Sequence, residues 1–338
     1  MSGIDSQEPK KIKIKEAPTT ATATSTTTSG AGKEEKTDHK EKDNKLDPET
    51  TSSGDGDPQR LPFVSEFYAY LREMEVDPKR RPLPDYMRRV QNDNITPNMR
   101  AILVDWLVEV ANGFDLTSLE TLFVTVSYID KFLSIKILNR KKLQLLGVSS
   151  IIIASRKYND EIIPPHVQDM CRATDHAYTV EEIVKMEAEI RKTLELDNEL
   201  RSGHPTLITF IRRFMSVDEE SLEDKPKYEF LCVYLSKLAL LDYDCTVKFL
   251  PSLVAASVIF LARLIVKPQA HPWTLSLQKY SRYKPPELQQ CVVSLRNVYL
   301  GIKWKSLVAI REEYKQSAED VSTVAEIPAH YFGDIIIS

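Results

Sequence analysis

The sequence predicts an all-α fold with two repeats of five helices each, preceded by an N-terminal helix and a disordered tail. Apolar residues recur at helical spacing throughout the body of the chain. Long strand-like alternation and glycine-containing hairpin turns are missing. Two central helical segments also resemble each other. The composition, with 42% hydrophobic and 28% charged residues, is that of an ordinary globular chain of about two domains.

The first 60 residues differ from the rest in composition. They contain sixteen serine and threonine residues and no aromatic residue, so they cannot bury enough apolar surface to offset their ordering entropy. We predict that this tail is disordered. Its basic cluster comprises Lys10, Lys11, Lys13 and Lys15. Such a cluster is typical of a nuclear-import signal, which predicts a location in the nucleus and also the cytoplasm; the alternative is a solvated charge run.

The helical body begins at residue 61, and its helices follow from start signals and apolar spacing. In the first part they cover residues 63–75, 97–112, 117–135, 140–158, 165–174 and 179–196. In the second part they cover residues 205–215, 226–243, 248–266, 273–281 and 286–300. Thr96-Pro97 is typical of an N-cap followed by a first-turn proline. Thr117-Ser118-Leu119-Glu120 and Thr179-Val180-Glu181-Glu182 have the spacing of capping boxes.

Two segments 107 residues apart form the centres of the predicted repeats. Residues 149–156, SSIIIASR, resemble residues 256–263, ASVIFLAR. Both segments are apolar on all sides, which suits a helix surrounded by other helices. A membrane span over 249–266 is the alternative, but Pro251 and Arg263 interrupt it.

Charge, glycine content and motif content exclude most enzyme classes. The net charge of −4 argues against a protein that neutralises phosphates, so we expect no nucleic-acid partner. The ten glycines form no phosphate-cradling cluster, and no metalloprotease, di-iron or hydrolase motif occurs. The four cysteines are scattered, as expected of buried thiols in a reducing compartment. We therefore expect no catalytic activity, metal or cofactor, and look for an interaction surface.

The helix predicted at 97–112 carries two apolar stripes on different faces. One stripe consists of Ala101, Val104 and Val108. The other stripe consists of Met99, Ile102, Leu103 and Trp106. A helix needs one stripe for its own core, so two stripes indicate either full burial or an exposed face that accepts a short peptide. Periodicity alone favours full burial.

Several long motifs resemble those of one known family. MRAILVDWLVEV at residues 99–110 resembles the opening of the cyclin box, specifically that of A-type cyclins. YIDKFL, KLQLLG and KMEAEI resemble the next landmarks in order, and YLREMEV resembles the N-terminal helix of that type. FLPSLVAASVIFLAR and HPWTLSLQKYSRYKPPELQQCV resemble the second box of the plant-type members. The resemblance covers residues 61–333.

The resemblance implies a domain organisation and a function. It implies a tail at 1–60, an N-terminal helix and linker at 61–95, cyclin boxes at 96–203 and 204–305, and a C-terminal extension at 306–338. It also implies a regulatory subunit without an active site, which binds and activates a cyclin-dependent Ser/Thr kinase as a heterodimer during cell-cycle progression. Such a subunit recruits Arg-x-Leu substrates and inhibitors, and no membrane partner is expected.

Two other functions remain open on the sequence. One is a docking module that binds Arg-x-Leu proteins without activating any kinase. The other is a nucleic-acid-linked transcription factor built on tandem cyclin folds, which would need a basic surface and usually a zinc ribbon; neither shows in the sequence. The family's destruction box, Arg-x-x-Leu, and the Lys-Glu-Asn motif are also missing from the tail, so degradation by that route is not expected.

The resemblance assigns a substrate-docking patch and a structural ion pair. The patch residues are Met99, Ile102, Leu103 and Trp106, with Glu109 and Gln144 at the polar rim. The Glu109 carboxylate would pair with the arginine of the motif, and the Gln144 amide would bond to the peptide backbone. The alternative for Gln144 is a solvated side chain. Arg100 and Asp130 match a buried ion pair with a structural role.

The resemblance also assigns a kinase-facing glutamate and lysine. Glu187 matches the glutamate, and its alternative is an i,i+4 pair with Arg191. Either Arg156 or Lys157 holds the place of the lysine, and Lys157 is preferred because Tyr158 then follows as in the family. The segments at 154–165 and 197–204 are longer than usual, and Arg191 and Leu196 replace usual apolar and phenylalanine positions. All of these departures fall on the surface predicted to contact the kinase.

Overall fold

The computed structural model describes residues 60–116, 118–158, 164–198, 205–218, 224–315 and 327–333, with side chains from residue 66 onward. All regular elements within these residues are helical, which confirms the predicted all-α fold. The basic cluster of the tail lies outside the described residues.

The helices fall into the two predicted groups of five. Two helices precede them: α1 (Arg60–Val76) and α2 (Tyr86–Arg89). The first repeat comprises α3 (Pro97–Gly113), α4 (Leu119–Ile135), α5 (Leu143–Tyr158), α6 (Val167–Ala173) and α7 (Val180–Leu194), with a 3-10 turn at Arg140–Lys142 before α5. The second repeat comprises α8 (Leu207–Val217), α9 (Lys225–Leu241), α10 (Pro251–Val266), α11 (Leu275–Ser281) and α12 (Pro285–Tyr299), with a π-turn at Asp244–Lys248. A short helix α13 (Ala309–Glu313) and a 3-10 turn at Ala329–Phe332 follow.

Local capping explains where several helices begin. The Thr96 hydroxyl accepts a hydrogen bond from the Met99 N–H at 3.3 Å, and Pro97 occupies the first turn of α3, as predicted. The box of Thr179 and Glu182 is also formed at the start of α7. The box predicted at 117–120 differs: Ser118 is the N-cap of α4, and Thr117 lies outside the described residues. The acid of that box, Glu120, instead accepts hydrogen bonds from the Arg212 side chain of α8.

The central helices of the two repeats are α5 and α10, as the sequence predicts. Helix α5 packs against α3, α4 and α7, and α10 packs against α8, α9 and α12. Apolar residues face every side of both helices, and the neighbouring helices bury them. No helix in the described part of the chain is both long and apolar enough to cross a membrane.

A buried polar cluster joins the two repeats. The Arg100 guanidinium donates to both carboxylate oxygens of Asp130, each at 2.7 Å, which ties α3 to α4. It also donates to the Leu240 carbonyl at 2.7 Å and to the Thr246 hydroxyl at 2.8 Å, both in the second repeat. Tyr86 donates to the same Asp130 carboxylate at 2.8 Å. The ion pair that the resemblance assigned therefore spans the joint between the repeats as well as the first two helices.

Helix α1 docks onto the second repeat through a second buried acid. The Glu75 carboxylate is fully buried and accepts hydrogen bonds from the Ser252 N–H at 2.9 Å and its hydroxyl at 2.6 Å. Burial raises the pKa of Glu75, and the bonds from Ser252 oppose this shift. The Tyr68 hydroxyl donates to the Ser281 carbonyl at 3.0 Å, one helix further along. These contacts hold α1 at the N-terminus of α10.

Candidate partner-binding surfaces

The two apolar stripes of α3 have different environments. The stripe of Ala101, Val104 and Val108 is buried in the core of the second repeat. The other stripe is only partly covered: Ile102 is 37% exposed, Met99 and Trp106 are half-buried, and Leu103 is buried. The expectation of full burial is therefore wrong for the second stripe. We call Met99, Ile102, Leu103, Trp106, Glu109 and Gln144 the docking surface.

Helix α5 forms the second wall of the docking surface because it approaches α3 closely at a glycine. A Cβ atom on Gly147 would lie 2.9 Å from Cδ1 of Leu103 and 3.5 Å from the Leu107 methyl groups. Gln144 lies about one turn before this contact, at the start of α5, and is half-buried. Its side chain is therefore only partly exposed to solvent.

The C-terminal end of the docking surface carries two carboxylates one turn apart on α3. Glu109 is exposed, whereas Asp105 is buried and accepts a hydrogen bond from the Ala309 N–H of α13 at 3.1 Å. Burial raises the pKa of Asp105 to about 6, and the charge of Glu109 adds to the shift. Sequence reasoning missed Asp105; the signal was its i,i+4 spacing from Glu109 on the same helix. The arrangement concentrates negative charge where a cationic side chain would be attracted.

An open ion pair links α5 and α7 at the other candidate surface. Arg156 Nη1 lies 2.5 Å from Glu187 Oε2; the arginine side chain is 40% exposed and that of the glutamate only 8%. The other carboxylate oxygen, Glu187 Oε1, is buried without a hydrogen-bond partner in the described structure. A buried charged acceptor left without a donor costs about 1–3 kcal/mol, so a binding partner that supplies a donor here would gain stability.

The register at the end of α5 is set by the helix itself. The helix runs without interruption to Tyr158, and it is Arg156 that meets Glu187. Lys157, the residue preferred from the family motif, is exposed with its ammonium 5.4 Å from the centre of the Tyr158 ring. That preference therefore differs from the observed pairing, in which Arg156 and not Lys157 contacts Glu187.

The alternative interpretation of Glu187, an i,i+4 pair with Arg191, is not what the structure shows. Arg191 Nη1 lies 3.6 Å from a carboxylate oxygen of Asp197, beyond the end of α7. Glu187 pairs with Arg156 across the two helices and not with Arg191 along its own helix. Residues 159–163 and 199–204, which are parts of the two longer segments, lie outside the described residues.

Comparisons with known proteins agree with the motifs. Residues 66–198 match the family described as "Cyclin, N-terminal domain", and residues 205–329 match "Cyclin, C-terminal domain". The chain is 51% identical to Cyclin-A3-4 of Arabidopsis thaliana over 287 residues, which cover 83% of this chain and 75% of that protein. The chain belongs to the A-type cyclins. The resemblance predicted from the motifs is thereby confirmed, with the plant A3 members as relatives.

Other relatives extend the comparison. The cyclin is 49% identical to Cyclin-A3-1 of Oryza sativa subsp. japonica over 288 residues, covering 83% of this chain and 75% of that protein. It is 46% identical to the G2/mitotic-specific cyclin C13-1 of Daucus carota over 284 residues, 82% of this chain and 81% of that protein. A viral cyclin from herpesvirus saimiri shares the fold, with a TM-score of 0.55 at 19% identity over 72% of this chain and 99% of that chain. The family consists of regulatory, non-catalytic kinase subunits that act in the cell cycle, and this is the general role of the cyclin.

Proposed function

We propose that the cyclin binds and activates a cyclin-dependent Ser/Thr kinase through the end of α5 and the middle of α7. The observation that carries this proposal is the unpartnered oxygen of Glu187, which is buried beside the exposed edge of Arg156. Arg156 donates to one carboxylate oxygen, and the other oxygen is buried without a donor in the described structure. A kinase backbone N–H would satisfy that oxygen and be held by a charge-assisted hydrogen bond.

Binding at this surface would act on the kinase by shifting its population of conformations. A cyclin contributes no reacting group; its binding energy favours the arrangement in which the kinase's mobile helix and activation loop are in place. The kinase performs the phosphoryl transfer. The degree of activation therefore depends on how much more tightly the cyclin binds the active form of the kinase than the inactive form.

The docking surface on α3 and α5 would recruit substrates and inhibitors that carry an Arg-x-Leu motif. Its half-exposed apolar side chains suit the leucine, and the carboxylates of Glu109 and Asp105 suit the arginine. The second candidate function is a docking module that uses this surface and activates no kinase. The charged Arg191 beside the predicted kinase face favours that candidate, because an apolar interface formed there would remove solvent from its exposed pair with Asp197.

The lysine cluster at Lys10, Lys11, Lys13 and Lys15 supports a further proposal, that the cyclin acts in the nucleus as well as the cytoplasm. A location in the nucleus would bring it to chromatin-associated kinase substrates. Microscopy of the fluorescently tagged full chain, with and without glutamine at the four lysines, tests this proposal. Nuclear signal that is unchanged in the variant would contradict it.

The test of kinase activation is a pull-down against a panel of plant cyclin-dependent kinases, followed by a histone-phosphorylation assay. We expect the wild-type chain to bind and activate at least one kinase, and Glu187→Ala to weaken both effects at least about tenfold, the value of one charge-assisted hydrogen bond. The matched control combines Met99→Ala with Trp106→Ala. It should keep kinase binding and histone phosphorylation but lose preference for Arg-x-Leu substrates.

Two results would change the conclusion. If the chain binds Arg-x-Leu peptides but no kinase in the panel, the docking module replaces the activator. If the kinase bound to the control variant phosphorylates Arg-x-Leu substrates as efficiently as the kinase bound to the wild type, the docking surface has been assigned to the wrong residues.

A further inference from the structure

A short basic segment lies beside the docking surface, and its side chains form no ion pair within the described structure. It consists of Arg140, Lys141 and Lys142, which form the 3-10 turn before α5 and are all exposed. Within the described residues none of the three side chains forms an ion pair, whereas nearby Lys136 pairs with Glu189 at 2.8 Å. Three adjacent unpaired cations stand out in a chain whose net charge is −4.

The backbone of this basic segment is held firmly while its side chains remain in solvent. The Asn139 side chain accepts a hydrogen bond from the Lys141 N–H at 3.0 Å, and its carbonyl accepts one from the Lys142 N–H at 2.8 Å. The Tyr178 hydroxyl donates to the Lys141 carbonyl at 2.6 Å. The three cations are therefore presented at a fixed place, which lowers the entropic penalty of binding an anion there.

Two contacts fix where the basic segment lies relative to α3. Asn94, just before α3, donates to the Leu138 carbonyl at 3.4 Å, and Leu103 meets Gly147. Nine residues separate the two contacts both on the segment 94–103 and on the segment 138–147. The two segments therefore run in the same direction, with residues at equal spacing from each contact lying at the same level. The basic segment is therefore level with Thr96–Asn98, directly before Met99, and at the opposite end of the docking surface from Glu109.

The docking surface therefore has negative charge at the end that carries Glu109 and positive charge at the end beside the basic segment. From Glu109 to the level of the basic segment α3 rises roughly 17–20 Å, at about 1.5 Å per residue. An extended peptide covers this distance in about five or six residues, at about 3.3 Å each. A peptide whose arginine pairs with Glu109 would therefore place its fifth or sixth following residue against the basic segment.

We propose that the basic segment binds aspartate or glutamate side chains that lie about three or four residues after the leucine of a docked Arg-x-Leu motif. This inference rests on the proposed docking function and names the sequence context that the surface selects. Carboxylates are favoured because the three cations are long, separate and fully exposed, which suits charge spread over several residues. No buried donors converge on one point in the described part of this surface, as they would in a pocket built for a single phosphate group.

The test compares two peptides by fluorescence anisotropy with the full chain. Both carry the same Arg-x-Leu core, followed at the selected positions by two glutamates or by two glutamines. We expect the wild type to bind the glutamate peptide about three- to tenfold more tightly, and this preference to shrink as NaCl is raised from about 50 to 300 mM. The triple variant Arg140→Gln, Lys141→Gln, Lys142→Gln should lose the preference and bind the glutamine peptide as the wild type does. The matched control Lys136→Gln should keep the preference.

The possible failures are distinguishable. Equal binding of both peptides to the wild type overturns the inference and leaves the docking function intact. If neither peptide binds, or if Met99→Ala with Trp106→Ala binds as well as the wild type, the docking function itself is contradicted. A third peptide with phosphoserine at the same positions completes the test: tight binding of this peptide alone would overturn the choice of carboxylates in favour of a phosphorylated partner.

Discussion

Arg156 in α5 and Arg263 in α10 occupy equivalent positions in the two repeats and have very different surroundings. Arg263 Nη1 donates to both carboxylate oxygens of Asp218, at 2.6 and 2.8 Å, and its Nε donates to the Pro272 carbonyl at 3.1 Å. Both side chains of that pair are at most 2% exposed. Arg156 is 40% exposed, and its partner retains an unused oxygen. The ion pair at the end of the central helix is therefore buried in the second repeat and partly exposed in the first.

The sequence of the repeats explains this difference. The residue of the first repeat that corresponds to Asp218, at the same 107-residue offset, is Ala111. Arg156 therefore has no acid at the end of the first helix of its own repeat and turns to Glu187 on α7. The residue of the second repeat that corresponds to Glu187 is Ser294. The same scaffold thus supports a structural ion pair in one repeat and a candidate binding site in the other.

The largest expected effect comes from removing the two arginines. Arg263→Ala strands the buried Asp218 carboxylate and should lower the free energy of unfolding by about 3–5 kcal/mol. Arg156→Ala removes a side chain that is 40% exposed and whose pair with Glu187 is partly screened by solvent, so we expect a loss of only about 1 kcal/mol. Urea unfolding followed by circular dichroism measures both. Equal losses of unfolding free energy for the two variants would contradict the distinction between a buried ion pair in the second repeat and a partly exposed one in the first.

An intermediate effect is expected at Gly147, where α5 closely approaches α3. Gly147→Ala places a Cβ atom 2.9 Å from Leu103, whereas the second repeat has Val254 at the corresponding position. Overpacking should lower the unfolding free energy by about 1–3 kcal/mol. It should also displace Leu103 and weaken Arg-x-Leu peptide binding. Unchanged stability together with unchanged peptide affinity would show that α3 and α5 are less tightly packed than the structure indicates.

A smaller effect concerns Asp105, through which α3 holds α13. Because burial raises its pKa to about 6 in the folded chain, the carboxyl is protonated more readily there than in the unfolded chain. Its contribution to stability is therefore largest below about pH 4 and decreases as the pH rises through about 6. Asp105→Asn lacks this pH dependence. Its free energy of unfolding relative to that of the wild type should therefore rise by about 1–2 kcal/mol between pH 4.5 and 7.5. Thermal unfolding across this range tests the prediction, and parallel curves for the two proteins would refute it.

Much of the fold was predictable because it depends on local signals. Helical periodicity, the caps at Thr96 and Thr179, and the similarity of the two central helices were sufficient to predict the five-helix groups. The short elements α2, α13 and the π-turn were missed because elements of this length lack a full apolar period.

The candidate surfaces were only partly predictable. Their residues follow from the resemblance, but the exposure of the second α3 stripe depends on how closely α5 packs at Gly147. The choice between Arg156 and Lys157 required the direction of each side chain at the end of α5, which residue spacing to α7 does not determine. The environment of Asp105 depends on a contact with α13, which lies 204 residues further along the chain and follows from no local pattern.

The most direct test compares the two acids of the equivalent ion pairs, Glu187→Gln and Asp218→Asn, for kinase affinity and unfolding free energy in the same preparations. We predict that Glu187→Gln raises the Kd for the kinase at least about tenfold and changes stability by less than about 1 kcal/mol. Asp218→Asn should lose about 3 kcal/mol of stability and bind the kinase with the wild-type Kd while folded. A Glu187→Gln variant that binds the kinase normally, or that unfolds as readily as Asp218→Asn, would contradict the assignment of the open pair as the kinase-binding site.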